Sequence, residues 1–339
     1  MAGRSIATQQ LWLQKETTPG TPVVTAMKKV LGLKVTPGWG VEFDSYQPSG
    51  SKVPSTAVPN TETGDHQVDT ILDFNAMLWV LTGLFGAPTA STGVTDAVGD
   101  ATTHAFALDP DAADALCTFT AVWGDSTQAL QAAHFFFNSV GITVEAGMGS
   151  LTTSAMSYKP TTGATLPSSG TSIIPTIPIA RRHWNIYIDD AWADLGTTKL
   201  LALYRANFTG PDKYSPDYVI NSAKSSFDSV IENDGFNPTL ELLAGLDAAS
   251  VGLIGDWADG TQKFIRLEAV GPVIDATSAP ADINAELTVD MCVRITNPGQ
   301  IEASPAGAVA VPLTCQIELD SVSGNAMAAS LTNLVTALA

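Results

Sequence analysis

The chain has 339 residues, of which 45% are hydrophobic and only 15% charged, enough to bury a sizeable core without disulfide support. Its 34 acidic and 16 basic residues give a formal charge of −18, which excludes an electrostatic footprint for nucleic acid or an anionic membrane. Three cysteines without CxxC spacing, Cys117, Cys292 and Cys315, lie in apolar strand-like runs and read as small buried hydrophobes, not as a metal or redox centre.

The opening MAGRSIATQQ has no apolar leader, and no window approaches eighteen uninterrupted apolar residues, so cytoplasmic synthesis without a membrane helix is expected. Residues 11–24 hold a short strand, LWL, and a turn at Pro19-Gly20. Residues 29–43 read as two strands around Thr36-Pro37-Gly38. Residues 44–64, rich in Pro, Ser, Thr and Gly, read as a long loop, a length that in compact proteins is functional or disordered. Residues 67–74 alternate as a half-buried strand. Asn75 follows as the expected helix cap, then an apolar helix with Leu78, Leu81 and Phe85 in its buried stripe, and a stop at Gly86. Strands are expected over 104–108, 115–123, 134–145 and 150–158.

Pro160, Pro167, Pro175 and Pro178 mark residues 159–180 as a linker or arm between a first domain, 1–158, and a second, 181–339. In the second domain the pattern recurs: a strand over 237–246, Asp247 as cap, then a short helix with Val251 and Ile254 in its core and a stop at Gly255. The fold class expected is therefore mainly β, built from two similar halves that each carry a single short helix. Residues 330–338 read as a closing helix or a tail packed on a neighbour. From residue 221 onward fifteen acidic side chains face four basic ones.

Catalytic signatures are not found. The four histidines, His66, His104, His134 and His183, are scattered. DPDAAD at 109–114 lacks the glycine and glutamate of a calcium loop and reads as a solvated turn, and Asp189, Asp190 and Asp194 read as turn closers. No GxSxG elbow, P-loop or strand-borne GxGxxG occurs, so no enzyme activity and no cofactor or metal is expected. Trp39, Trp123, Trp184, Trp192 and Trp257 could stack on sugar, but anchoring strand edges or a subunit interface is the commoner use of tryptophan.

Four segments, KETTPGTPVV at 15–24, NIYIDDAWADLGTTKL at 185–200, FIRLEAVGPVI at 264–274 and IELDSVSGNAMAASLTNLVTAL at 317–338, together resemble in order and spacing the major tail tube proteins of long, non-contractile bacteriophage tails. The resemblance implies a β-sandwich or barrel with a short flanking helix, in a structural virion protein whose strands join between subunits into stacked rings that conduct double-stranded DNA. It implies partners of the tape measure and tail terminator or tip class, and no membrane partner. Relatives with one domain form six-membered rings, so two tube-like halves would give a trimer with pseudo-sixfold symmetry. Glu241, Glu286, Asp290 and Glu318 are then candidates to face the lumen and repel DNA. Tyr46, Pro48, Lys52, Pro54, Pro59, Pro160, Pro167 and Pro175, in the 44–64 loop and the 159–178 arm, are candidates for ring-to-ring contacts. The alternative is a surface adhesin or carbohydrate-binding β protein.

Overall fold

The computed structural model describes residues 9–93, 101–108, 110, 113–167, 173–220, 225–233, 236–275, 282–305, 307–336 and 338. Among these the chain is mainly β, with 23 strands and two α-helices. The first part runs through β1 (Gln10–Lys15), β2 (Lys28–Val30), β3 (Val35–Thr36), β4 (Gly40–Tyr46) and β5 (Thr56–Ile71) into helix α1 (Met77–Phe85). It continues with β6 (Ala90–Gly93), β7 (Thr102–Ala107), β8 (Phe119–Gly124), β9 (Ala129–Phe137), β10 (Val140–Val144) and β11 (Ser150–Tyr158). The middle holds β12 (Thr161–Ala164), β13 (Ile173–Ile174), β14 (Trp184–Asp189), β15 (Leu203–Gly210), β16 (Tyr214–Asp217), β17 (Ser229–Glu232) and β18 (Thr239–Gly245), which leads into α2 (Ala248–Asp259). The chain closes with β19 (Gln262–Asp275), β20 (Ile283–Pro298), β21 (Glu302–Ala303), β22 (Val309–Ile317) and β23 (Met327–Asn333).

Pairing follows one antiparallel order twice. In the first part β1 pairs β8, β8 pairs β9, β11 pairs both β9 and β10, β5 pairs β11, and β3 pairs β5. In the second, β14 pairs β19, β19 pairs β20, β20 pairs β22, β22 pairs β18, and β18 pairs β15. The two parts are laced together, because β10 pairs β15 and β7 pairs β23, which itself pairs β20. A single core cluster draws on both, including Leu78, Phe137, Leu242 and Leu287. β20 shows why: Ala285, Leu287, Val289, Met291, Val293 and Ile295 point into that core, while Glu286, Asp290 and Arg294 alternate onto the other face.

Several expectations are corrected. The loop expected at 44–64 is the outer half of a long β4–β5 hairpin. Both faces of this ribbon meet solvent, so its strands lack the apolar alternation that marks a strand packed on a core. Asp73, not Asn75, caps α1: its Oδ1 accepts from Asn75 N at 3.0 Å and Ala76 N at 2.9 Å, and its Oδ2 accepts from Ile177 N. Asn75 instead donates to the Pro175 carbonyl at 2.9 Å. Residues 327–333 form a strand in place of the expected closing helix, because β20 and β7 take up both its edges.

The arm at 159–180 is stitched to its own chain. β12 pairs β9, β13 lies parallel to β2, and Ile179 N donates to Leu72 O at 2.9 Å.

The second cap stands as expected: Asp247 Oδ1 accepts from Ser250 N at 3.0 Å, and Ser250 Oγ accepts from Asp247 N at 2.9 Å. Its helix runs past Gly255 and ends at Gly260, which takes φ +66°. The helices differ in surroundings. All nine residues of α1 are buried, Leu78, Leu81 and Phe85 among them. α2 lies against β20 with Leu253 buried and Ile254 half-buried, but Val251 is 54% exposed, so it is not a core residue. Leu81→Ala should therefore cost about 2–5 kcal/mol and Val251→Ala less than about 0.5 kcal/mol, a contrast read from urea unfolding.

Candidate functional site

The four carboxylates singled out from the sequence all stand on the polar face of the sheet running from β10 through β15, β18 and β22 to β20 and β19. Cross-strand register builds this face. Thr143 lies opposite Asn207, Asn207 opposite Glu241 and Glu241 opposite Thr314. Thr143 Oγ1 donates to Asn207 Oδ1 at 2.9 Å, and Asn207 Nδ2 donates to Glu241 Oε2 at 3.4 Å. Two of the acids are matched by arginines one strand away. Arg266 grips Asp290 with Nε and Nη2 at 2.7 and 2.8 Å, and Arg294 Nε meets both Glu318 oxygens at 2.9 Å. Hydrogen bonding to Asp290 raises the Arg266 guanidinium further above its ordinary value. Glu286 and Glu241 face a hydroxyl and an amide instead, with Thr288 Oγ1 donating to Glu286 at 3.2 Å. The acidic character of this face therefore rests on Glu241 and Glu286 more than on Asp290 and Glu318.

The second feature is the β4–β5 hairpin. Tyr46, Lys52, Pro54 and Pro59 are exposed on it and Pro48 is half-buried. Phe43 at 61%, Tyr46 at 67%, Val53 at 65% and Val58 at 55% exposure give a two-stranded ribbon large apolar side chains and no core. Its tip is tied by Ser51 N to Pro48 O at 3.1 Å, Ser55 N to Tyr46 O at 3.0 Å and Gln47 Nε2 to Ser51 O at 2.7 Å. At the base, buried His66 bonds Ser157 Oγ at 2.8 Å, accepts from Gly38 N at 3.3 Å and lies against Trp123 and Phe135. Burial holds its imidazole down to about 4. The arm residues fare differently: Pro160 is buried, Pro167 half-buried, and exposed Pro175 lends its carbonyl to Asn75. Pro160 is therefore withdrawn as a surface contact.

One buried cation was not foreseen. Lys213 has no exposed surface. Its Nζ donates to the Leu84 carbonyl at 2.6 Å, pairs with Asp114 and stands 3.6 Å from Glu232, with the Phe85 and Phe236 rings within 5.3 Å. Tyr214 Oη donates to the same carbonyl at 3.1 Å. Together they close the C-terminus of α1, which has no basic residue in its own last turn. Asp114 is consequently an ion-pair partner and not part of a solvated turn; Asp109, Asp111 and Ala112 lie outside the described residues. No local pattern in GPDKYSPD separates this lysine from a surface one, because its partners are 99 and 129 residues away.

Asp189 closes a turn as expected, accepting from Gly196 N at 3.0 Å, Thr198 N at 2.9 Å and Thr197 Oγ1 at 2.7 Å. Burial works to raise this carboxyl, but the hydrogen bonds from Thr197, Thr198 and Gly196 prevail and hold it below its usual value. All three cysteines are buried and free, and burial lifts the Cys315 thiol to about 12 and Cys292 to about 11. Trp123 is buried in the core and Trp192 packs edge-on against Phe264, whereas Trp39 and Trp257 are 52% and 41% exposed. Among the described residues no group of three His, Cys, Asp or Glu is placed to hold a metal, and no helix is long and apolar enough to cross a membrane. No protein-family model and no curated protein matches the chain.

Two outcomes follow. Lys213→Met should cost about 3–5 kcal/mol by stranding Asp114, with part recovered in the Lys213→Met/Asp114→Asn double variant, measured by urea unfolding. His66 is neutral in the folded chain down to pH about 4, whereas the unfolded imidazole takes its proton near 6.5, so its contribution is complete above about 6.5 and is lost as pH falls towards 4. Unfolding free energies measured across that interval should decline with falling pH, and less steeply in His66→Gln.

Proposed function

We propose that this chain is the building block of a protein tube of the phage tail type, in which copies close into rings, rings stack, and double-stranded DNA passes through. The observation that carries the reading is the strand order that occurs twice and is joined edge to edge through β10 and β15. One chain on this view supplies two ring positions, and three chains make a pseudo-sixfold ring.

The β4–β5 hairpin supports stacking. An isolated two-stranded ribbon is marginal in water, and one carrying Phe43, Tyr46, Val53 and Val58 gains by docking on the next ring. The polar face suits a lumen. Its Ser and Thr rows and arginine-matched acids present no cationic stripe, and Glu241 and Glu286 disfavour the phosphate contacts on which tight DNA binding depends. Tape measure and terminator or tip proteins are the partners that such a tube requires.

Negative-stain imaging of concentrated protein tests this directly: hollow tubes of stacked rings are expected, and monomers that bind glycans would establish the adhesin alternative instead. Replacing residues 43–60 by Asn-Gly, which joins Glu42 to Thr61, should leave folded rings that do not stack. Removing 159–178 should instead lower thermal stability sharply, because that arm carries the Asp73, Asn75 and β2 contacts; a deletion that melts like the parent would refute this.

A further inference from the structure

The β10–β15 seam has a counterpart in the chain whose two sides are, among the described residues, both open. Asp73 and Asp247 hold the same place before their helices, each accepting from the amide three residues on. Counting back from them sets Val68 beside Leu242 in the repeated order. Val35 and Thr36 face Val68 and Gln67 as Ala206 and Asn207 face Leu242 and Glu241, so β3 holds the place of the centre of β15. From the same anchor, Thr153 opposite Val68 corresponds to Leu313 opposite Leu242, which sets Ser150 beside Ala310. Thr143 faces Ser150 and Glu302 faces Ala310, so β21 holds the place of β10.

Within the chain, β10 is seated on β15 over five residue pairs, with Ile142 opposite Phe208 and Val140, Ile142 and Val144 buried. Among the described residues the counterparts are vacant. β21 pairs β22 along one edge, and Ile301, in the place of Ile142, is 60% exposed. Beside β3 runs an open groove of about 470 Å³ lined by Leu11, Leu31, Leu33, Val35, Pro37 and Trp123. A groove and a strand matching those already joined once in the chain identify the occupant as a second copy.

We propose that β21 of one copy pairs with β3 of the next and seats Ile301 in this groove, repeating between chains the β10–β15 seam. Thr36 then faces Glu302 across the seam, as Asn207 faces Thr143. Pro37 stands at the counterpart of Phe208 and withholds one donor, so the ladder is shorter and the groove contact carries more of the association. The contact is head to tail and closes into a ring. It rests on ring formation in the reading above and is independent of DNA passage.

The test is a Thr36→Cys/Glu302→Cys variant of the full chain, both positions being exposed and the native thiols buried. Directly opposed strand residues bring their Cβ atoms to about 4.5–5.5 Å, close enough for a disulfide once the strands settle together. Mild oxidation of assembled protein should give covalent dimers and trimers on a non-reducing gel, and neither single variant should. Ile301→Asp should reduce the sedimenting assembled fraction at least ten-fold with unchanged circular dichroism and melting of the monomer. Rings that form without the cross-link and tolerate Ile301→Asp put another occupant in the groove and overturn the seam while sparing the proposed function. A chain that forms no rings at any concentration overturns both.

Discussion

The structure depends on closing the ends of a helix that has no solvent to turn to. α1 is buried on every side, so the free amides of its first turn and the free carbonyls of its last cannot be left to water. Asp73 meets the amides and simultaneously holds Ile177 of the arm; Lys213 and Tyr214 meet the Leu84 carbonyl from a segment 129 residues away. Asp114 and Glu232 then balance the lysine. Each end of one short helix is thereby tied to a distant stretch of chain, and the two repeats of the strand order are held as one body.

That body leaves its remaining polarity on two surfaces with different physics. On the sheet's polar face, side chains of neighbouring strands satisfy one another: Arg266 with Asp290, Arg294 with Glu318, Thr143 with Asn207. Such a face is already solvated by its own neighbours and offers a passing polyanion little. On the β4–β5 hairpin the reverse holds, since exposed apolar side chains on a ribbon without a core have nothing to pack on within the chain. Such a face and such an extension are the two properties that the proposed self-assembling conduit would combine.

The repeated pairing gives the acidic tilt of the chain a geometric meaning. Fifteen of the acidic residues fall from position 221 onward, the part that carries most of the polar face. Pairing with Arg266 and Arg294 removes some of this charge where strands must lie side by side, leaving Glu241, Glu268 and Glu286, which meet amides and hydroxyls, as its bearers.

How much was legible in the residues follows from the range of the forces involved. Period-two alternation in β20 and β22, the Asp247 cap with Ser250 three residues on, the apolar stripe of α1 and the turn-closing Asp189 are local, within a few residues, and the sequence by itself determined them. The β4–β5 hairpin could not be read that way, because strands outside the core need no apolar face. Nor could the exposure of Val251, since two helices with similar stripes differ only in what lies above them. Choosing Asp73 over Asn75, burying Lys213, folding the arm back and turning residues 327–333 into a strand were decided by partners from about 30 to over 200 residues away. Only the tertiary structure brings such partners within hydrogen-bonding distance, where a buried polar group must find them.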